Sequence, residues 1–399
     1  MPVLRAVTEL ASGGPGVARL FVVIAAVFVA AKVFGEVAIR LRQPAVLGEI
    51  IAGVLLGRSL LGLVDPADPV IAAMAQIGVV VLLFTTGLHA DLKSLVAVGG
   101  VATTVAVAGV VLPFVAGYGA AVLLGVGPLP ALVCGAALCA TSVGISARVL
   151  GDLGRLDSTE GRVVLGAAVI DDVIGLIILS IVAAAVVGGT MAPAAMGRVA
   201  GAAIGFIVLA VVLGGPLATV GYKLVRRLQS TGALGLLALA FAFVLAAVAE
   251  WVGSAMIIGA FAAGLVLDDR HDREEIARAT ASVGDFFVPI FFASVGAAVD
   301  LRALATGRSL GIGAALVGCG IVGKIAAGYA PFWFRGNKLL VGIAMVPRGE
   351  VGLVFAQMGL ASGALDGGLF GAVMLMVLVT TLVTPPALSA LVKRTAPVG

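Results

Sequence analysis

Charge is what this sequence has least of. Only 12% of its 399 residues are Asp, Glu, Lys or Arg, about half the roughly 25% usual in a soluble domain. Apolar residues make up 61%, and mean hydropathy is +1.21. A water-soluble fold of this length cannot bury that much apolar surface. The shortage excludes soluble enzymes, nucleic-acid binders and disordered tails, and leaves a polytopic membrane protein. Cysteine is scarce as well. Cys134, Cys139 and Cys319 lie in apolar runs without a CxxC spacing, so they read as small core residues and carry no redox argument. The only histidines, His89 and His271, fall in predicted loops. No HExxH or Walker motif occurs, which argues against an enzyme, a resident cofactor and an ATP-driven pump. The first 20 residues carry Arg5, Glu9 and Arg19 and no apolar h-region, so no cleavable signal is expected.

What abounds is glycine, 56 residues, about twice the usual share of roughly 7%. That suits helices packed closely in lipid. Successive apolar runs predict thirteen membrane helices, at about 17–40, 44–61, 68–88, 95–124, 129–150, 161–188, 198–226, 232–250, 253–268, 278–298, 308–333, 338–361 and 367–391. No loop between them is long enough for a soluble domain. Of the Lys and Arg residues, sixteen fall in loops after odd-numbered helices or at the C-terminus, six on the opposite side and three within helices. The bias places the N-terminus outside and the C-terminus in the cytoplasm of a cell (inner) membrane. The net charge of +4 therefore marks cytoplasmic loops, not a nucleic-acid partner.

The chain also resembles itself. LGEIIAGVLL (47–56) matches IGAFAAGLVL (258–267) at an offset of 211, and GLHADLKSL (87–95) matches GAAVDLRAL (296–304) at 209. The simplest scheme repeats the first six helices as the last six, with the seventh as linker. The repeats then run with opposite topology, an architecture of many secondary transporters.

Against this apolar background four groups of charge stand out, since a mid-membrane charge costs ~2.5–3.5 kcal/mol on insertion scales and is functional by default. Asp171 and Asp172 sit together in VVLGAAVIDDVIGLIILSIV. Adjacent residues on a helix point about 100° apart, so the two carboxylates can face different partners across one cavity. Desolvation and mutual repulsion disfavour both being charged at once, so one can carry a proton or bind a small hard cation such as Na⁺. Lys324, in GCGIVGKIAAGYA, needs a carboxylate, and the Asp pair supplies it. A pair that breaks when the acid takes a proton or a cation is a coupling device; a fixed bridge between helices is the plainer reading. Two polar interruptions complete the set. Thr141, Ser142 and Gly144 lie within the predicted helix 129–150, and Pro347, Arg348, Gly349 and Glu350 within 338–361. Adding the repeat offset of 209 to Thr141 gives 350, so the breaks fall at equivalent positions. Broken helices expose dipole ends that face an ion-binding cavity; Glu350 offsets the positive ends and Arg348 the negative ones. Elsewhere, Lys32 and Glu36 are spaced for a local ion pair, Glu49 reads as interfacial, and DDRHDREE (268–275) as a solvated loop.

These stretches carry a resemblance. QPAVLGEIIAGVLLG (43–57), ATSVGISARVLGDLG (140–154), VIDDVIGL (169–176), FFVPIFFASVGAAVDL (286–301), Lys324 in its helix and MVPRGEVGLVFAQ (345–357) together resemble the monovalent cation:proton antiporter-2 family, most closely its NapA-type sodium/proton antiporters. The resemblance implies thirteen helices, a homodimer, and two discontinuous helices crossing at the ion site. It implies a dimerisation domain over 1–94 and 231–304, a mobile core over 95–190 and 305–399, and a linker helix over 191–230. Asp172 looks like the family's ion- and proton-binding carboxylate, Asp171 like the partner of Lys324, Thr141 and Ser142 like the first crossover, and Glu350 like the acid at the second. Na⁺ would thus be held by Asp172 with Asp171 beside it. Potassium-efflux relatives carry Gln-Asp where this chain has Asp-Asp, and the Asp-Asp pairing with a lysine resembles electrogenic members that move two protons per cation. The function expected is exchange of Na⁺, with Li⁺ beside it, for protons by alternating access. A potassium/proton antiporter of the same family, a sodium-coupled solute symporter and a cation channel are the other readings. Many relatives append a cytoplasmic nucleotide-binding domain; this chain ends soon after Lys393-Arg394.

Overall fold

In lipid every backbone N–H and C=O must be satisfied within the protein, so the long apolar runs of this chain fold as helices. The computed structural model describes residues 16–395 apart from 42, 90–98, 157, 189–192, 226–231, 253–255 and 268–272. In chain order the helices are α1 (Gly16–Arg40), α2 (Ala45–Leu56), α3 (Pro69–His89), α4 (Gly99–Leu123), α5 (Pro128–Ala137), α6 (Val143–Asp152), α7 (Thr159–Gly188), α8 (Pro193–Val225), α9 (Ala233–Trp251), α10 (Met256–Val266), α11 (Arg273–Ala297), α12 (Leu301–Leu304), α13 (Gly307–Tyr329), α14 (Lys338–Ala344), α15 (Glu350–Ala361) and α16 (Gly367–Thr395). Among the described residues nine helices are long and apolar enough to cross a membrane, and α2, α5, α10 and α15 are shorter apolar helices. The protein is an all-helical, multi-pass membrane protein. Where the sequence suggests one helix over 129–150, α5 and α6 stand with residues 138–142 between them. Where it suggests one over 338–361, α14 and α15 stand with 345–349 between them. Pro113, Pro289 and Pro385–Pro386 lie inside helices without ending them.

The chain divides into two compact units, residues 1–90 with 205–301 and residues 91–204 with 302–399; the second division falls within α8. In the first unit α2 packs on α1 and α11, and α3 on α10 and α11. Two clusters form its core, one around Val27, Leu56, Ile71 and Ile290, the other around Phe84, Leu88, Leu239 and Ile276. Glycines set how closely these helices approach. A Cβ at Gly53 would strike the backbone of Ala293, and one at Gly264 the backbone of Phe84. Small residues at a helix crossing let backbones touch, the usual source of helix attraction in lipid. Gly53→Ala is expected to lower stability by ~1–3 kcal/mol through overpacking. Gly201→Ala on α8, where nothing lies within 4 Å, is expected to be near neutral. Thermal melting of the two detergent-solubilised variants checks the contrast.

One expected ion pair in this unit is different. Glu36 pairs with Arg40 at 2.8 Å, one turn on, and not with Lys32. An acid N-terminal to a base at i,i+4 is the better orientation along a helix, and Lys32–Glu36 has it reversed. Lys32 instead lies near enough to Glu49 for its charge to act there, as does Asp285. In the loop after α2, Arg58 and Asp65 bridge at 2.6 Å. That hydrogen bond, with one from the Ala67 N–H, holds the Asp65 carboxyl below the usual carboxylate range. Arg5, Glu9, Lys93, His271 and the start of the 268–275 charge run lie outside the described residues.

In the second unit α4 and α13 run antiparallel. Arg308 reaches the Gly125 carbonyl at one end (2.9 Å), and Gly323 abuts Pro113 midway. A core cluster around Val105, Leu150, Val164, Leu340, Met345 and Leu388 binds α4, α6, α7, α14 and α16. The candidate site lies wholly within this unit.

Candidate functional site

Interrupting a helix inside a membrane strands backbone donors and acceptors, so the two breaks must satisfy each other. They do so by crossing. The Ser142 N–H donates to the Pro347 carbonyl at 2.9 Å, and Thr141 Oγ1 donates to the Met345 carbonyl at 3.2 Å. Ser146 Oγ donates to the Ala344 carbonyl, the last residue of α14. Arg348 Nη1 donates to the Cys139 and Ala140 carbonyls at 3.2 and 3.0 Å, so a cation lies on the negative C-terminal end of α5. Sequence chemistry sets the second break. Pro347 lacks a donor and biases Val346 away from the helical region. Gly349 is required by close approach, since a Cβ there would lie 2.6 Å from the Ser142 side chain.

Against this crossing α7 presents the acid pair. Asp171 is fully buried, and its Oδ2 accepts from Lys324 Nζ at 3.0 Å and from the Thr141 N–H at 2.9 Å. One carboxylate oxygen thus ties three elements together: α7, the first break and α13. Asp171 Oδ1 is buried with no hydrogen-bond partner. Asp172, one residue on, is 5% exposed. Lys324 is fully buried, and Gly109 on α4 makes room for it: a Cβ there would lie 3.2 Å from Nζ. Arg348 is 1% exposed, and among the described residues its Nε and Nη2 have no hydrogen-bond partner. Asp171, Lys324 and Arg348 are thus buried together in unlike roles, with Asp172 next to Asp171 on α7. Asp171 is pinned by Lys324, Arg348 by carbonyls, Asp172 is slightly exposed, and Asp171 Oδ1 has no hydrogen-bond partner among the described residues.

The structure therefore brings Asp171, Lys324, Thr141, Ser142 and Arg348 to one place, with Asp172 next to Asp171 on α7 and nearly buried. Glu350 opens α15, but its side chain lies outside the described residues. Two contributors carry no mark in the sequence reading above. Thr381 Oγ1 donates to the Arg348 carbonyl at 2.6 Å, fastening the second break to α16. Gly109 is the other. The signal for Thr381 was the hydroxyl cluster Thr380, Thr381 and Thr384 in an apolar run. Thr380 and Thr384 spend their hydroxyls on their own helix, the common behaviour, and only Thr381 reaches outward. An arrangement of this kind can hold a proton or a small cation on a carboxylate while a neighbouring amine answers the change in charge.

Comparison with known proteins agrees on the class. The family described as sodium/hydrogen exchanger, transmembrane, matches residues 19–394. The high-affinity Na⁺/H⁺ antiporter NhaS3 of Synechocystis is 40% identical, over 91% of this chain and 88% of that protein. The Na⁺/H⁺-K⁺ antiporter GerN of Bacillus cereus is 32% identical, over 93% of this chain and 95% of that one. Among solved structures, the sodium proton antiporter MjNhaP1 from Methanocaldococcus jannaschii superposes with a TM-score of 0.75 at 15% identity, over 93% of this chain and 97% of that chain. The last likeness is one of fold.

Proposed function

The chain belongs to the sodium/hydrogen exchanger family, and on that premise we propose that it exchanges Na⁺ and Li⁺ for protons by alternating access. Asp172 is the carboxylate for which cation and proton compete. Asp171 is the acid that Lys324 leaves when the site fills. Exchange is obligatory because the empty, charged site crosses the membrane poorly. Two protons move per cation, one from Asp172 and one from Lys324, so the cycle is electrogenic. The ion gradient drives the cycle, with no cofactor or ATP. The observation that carries this reading is the fully buried Lys324–Asp171 bridge at the crossing of two interrupted helices, with Asp171 Oδ1 left unpartnered beside Asp172.

The two interruptions are read as equivalent positions of two inverted repeats within thirteen helices. In this reading residues 95–190 and 305–399 form the mobile core, 1–94 and 231–304 the dimerisation part, and 191–230 a linker helix. The N-terminus lies outside and the C-terminus in the cytoplasm, and the protein works as a homodimer. A potassium/proton exchange reading has one point in its favour, the K⁺ in the name of the Bacillus cereus relative.

Proteoliposomes with an internal pH dye test the proposal when Na⁺, Li⁺ or K⁺ is added in turn. Proton movement on adding Na⁺ and Li⁺, larger under an imposed voltage, is the expected result. Response to K⁺ alone shifts the assignment to the second reading. Flux of cations with no proton counter-movement overturns both.

A further inference from the structure

At the end of the second unit where α4 begins and α13 stops, a groove lies between one face of α4 and Ala330, just past α13. It holds about 510 Å³ and is lined by Thr103, Val107, Val111, Leu112 and Ala330, within the ~300–1,000 Å³ range of ligand clefts. The groove offers almost nothing polar. Thr104 Oγ1 donates to the Gly100 carbonyl at 2.7 Å and Thr103 Oγ1 to the Gly99 carbonyl at 3.4 Å, so both hydroxyls are spent on their own helix. Val107, Val111 and Leu112 stand 40–49% exposed along it. On a helix apolar enough to cross a membrane, such a groove takes hydrocarbon.

The chain just past α13 supplies the other half of an amphiphile's needs. Phe332 and Trp333 are 80% and 50% exposed and meet edge to face, with ring centroids 4.8 Å apart. Exposed aromatic rings at a helix end mark the level of lipid headgroups. Lys338 Nζ donates to the Phe332 carbonyl at 2.9 Å, which holds an ammonium beside the rings; among the described residues this uses one of its three N–H groups. Arg335 is exposed in the same turn. Among the described residues neither cation is paired with the nearby acid, Glu160. Glu160 Oε1 accepts the Asn337 N–H at 2.9 Å.

We propose that this is a binding site for one anionic phospholipid. An acyl chain lies in the groove along α4, the glycerol region is level with Phe332 and Trp333, and the phosphate is held by Arg335 and Lys338. Charge complementarity selects the occupant, because a zwitterionic lipid fills the same groove but gains far less from two cations. The site also touches the transport machinery from behind. Val107 and Val111 flank Gly109, whose Cα side faces Lys324 Nζ. A chain seated in the groove therefore presses on the helix that shapes the lysine's pocket.

The sequence has two tryptophans, Trp251 and Trp333, which makes a direct test available. In a Trp251→Phe background, Trp333 fluorescence is measured in phosphatidylcholine vesicles. These carry rising fractions of phosphatidylglycerol or phosphatidylcholine brominated near the carbonyl end of the acyl chain. Half-quenching by the brominated phosphatidylglycerol is expected at a roughly thirtyfold lower mole fraction, the combined pull of two cations near an anionic headgroup. Arg335→Gln with Lys338→Gln should erase the difference between the two lipids. Val107→Phe, which fills the groove and spares the cations, should move the phosphatidylglycerol curve to higher mole fraction. Equal quenching by the two lipids in the parent protein, no quenching by either, or an advantage that survives in the double charge variant overturns the assignment.

Discussion

Asp172→Asn is expected to reduce Na⁺-driven proton movement to that of protein-free liposomes, with the protein still folded. Asparagine keeps the shape and one oxygen of the side chain but has no proton to exchange and no charge to attract a cation. A unit charge about 4 Å from its ion is worth roughly 4 kcal/mol at an effective dielectric near 20, a loss of about a thousandfold in cation affinity. The fold should tolerate the change because asparagine keeps the volume of the side chain and a hydrogen-bonding oxygen in this nearly buried position (5% exposed). The neighbouring substitution has the opposite signature. Asp171→Asn takes the anion from Lys324 and from the Thr141 N–H. Breaking a buried pair on one side costs ~3–5 kcal/mol, so that variant should melt early. Exchange assays paired with melting curves separate the two acids. Wild-type-like exchange in Asp172→Asn refutes its assignment as the competed carboxylate.

How far the sequence leads is clearest in where these residues meet. Lys324 and the Asp pair were matchable across 153 positions because so few charges lie within predicted spans that each has few possible partners. The break at 345–349 was legible from Pro347 and Gly349. The break at 138–142 was legible only through Thr141, Ser142 and the repeat offset, because nothing in Leu138-Cys139-Ala140 forbids a helix. Other features had no local signature. Which base Glu36 takes depends on orientation along α1, and Lys32 and Arg40 are equally spaced from it. That Thr381 leaves its own helix for the Arg348 carbonyl follows from the neighbouring break, which propensity along α16 does not record. Gly109 is one glycine among 56. Only the antiparallel packing of α13 on α4 singles it out, by bringing Lys324 Nζ to its face.

Lys324→Ala is expected to uncouple transport from membrane potential. When a cation fills the acid pair, the ammonium loses its counter-charge in a site with no exposed surface. Holding an unpaired charge there costs several kcal/mol, so departure from Asp171 and loss of the proton are one event. That proton is the second of the cycle and carries the net charge across. With it, a potential of about 100 mV contributes about 2.3 kcal/mol per turnover, which moves the equilibrium Na⁺ ratio by roughly fortyfold. Without it, one proton replaces one cation and the ratio ignores voltage. The alanine variant also leaves Asp171 unpaired, so its melting temperature should fall, and a voltage effect lost through damage must be told from one lost through coupling. Lys324→Gln makes that distinction, since its amide can still donate toward Asp171 Oδ2 but has no proton to release. Both variants should exchange Na⁺ for H⁺ with the same equilibrium ratio at zero and at imposed potential, read from the null point of the pH dye in voltage-clamped vesicles. If the glutamine variant retains the wild-type response to voltage, the bridge is a structural tie between α7 and α13 and the charge is carried elsewhere.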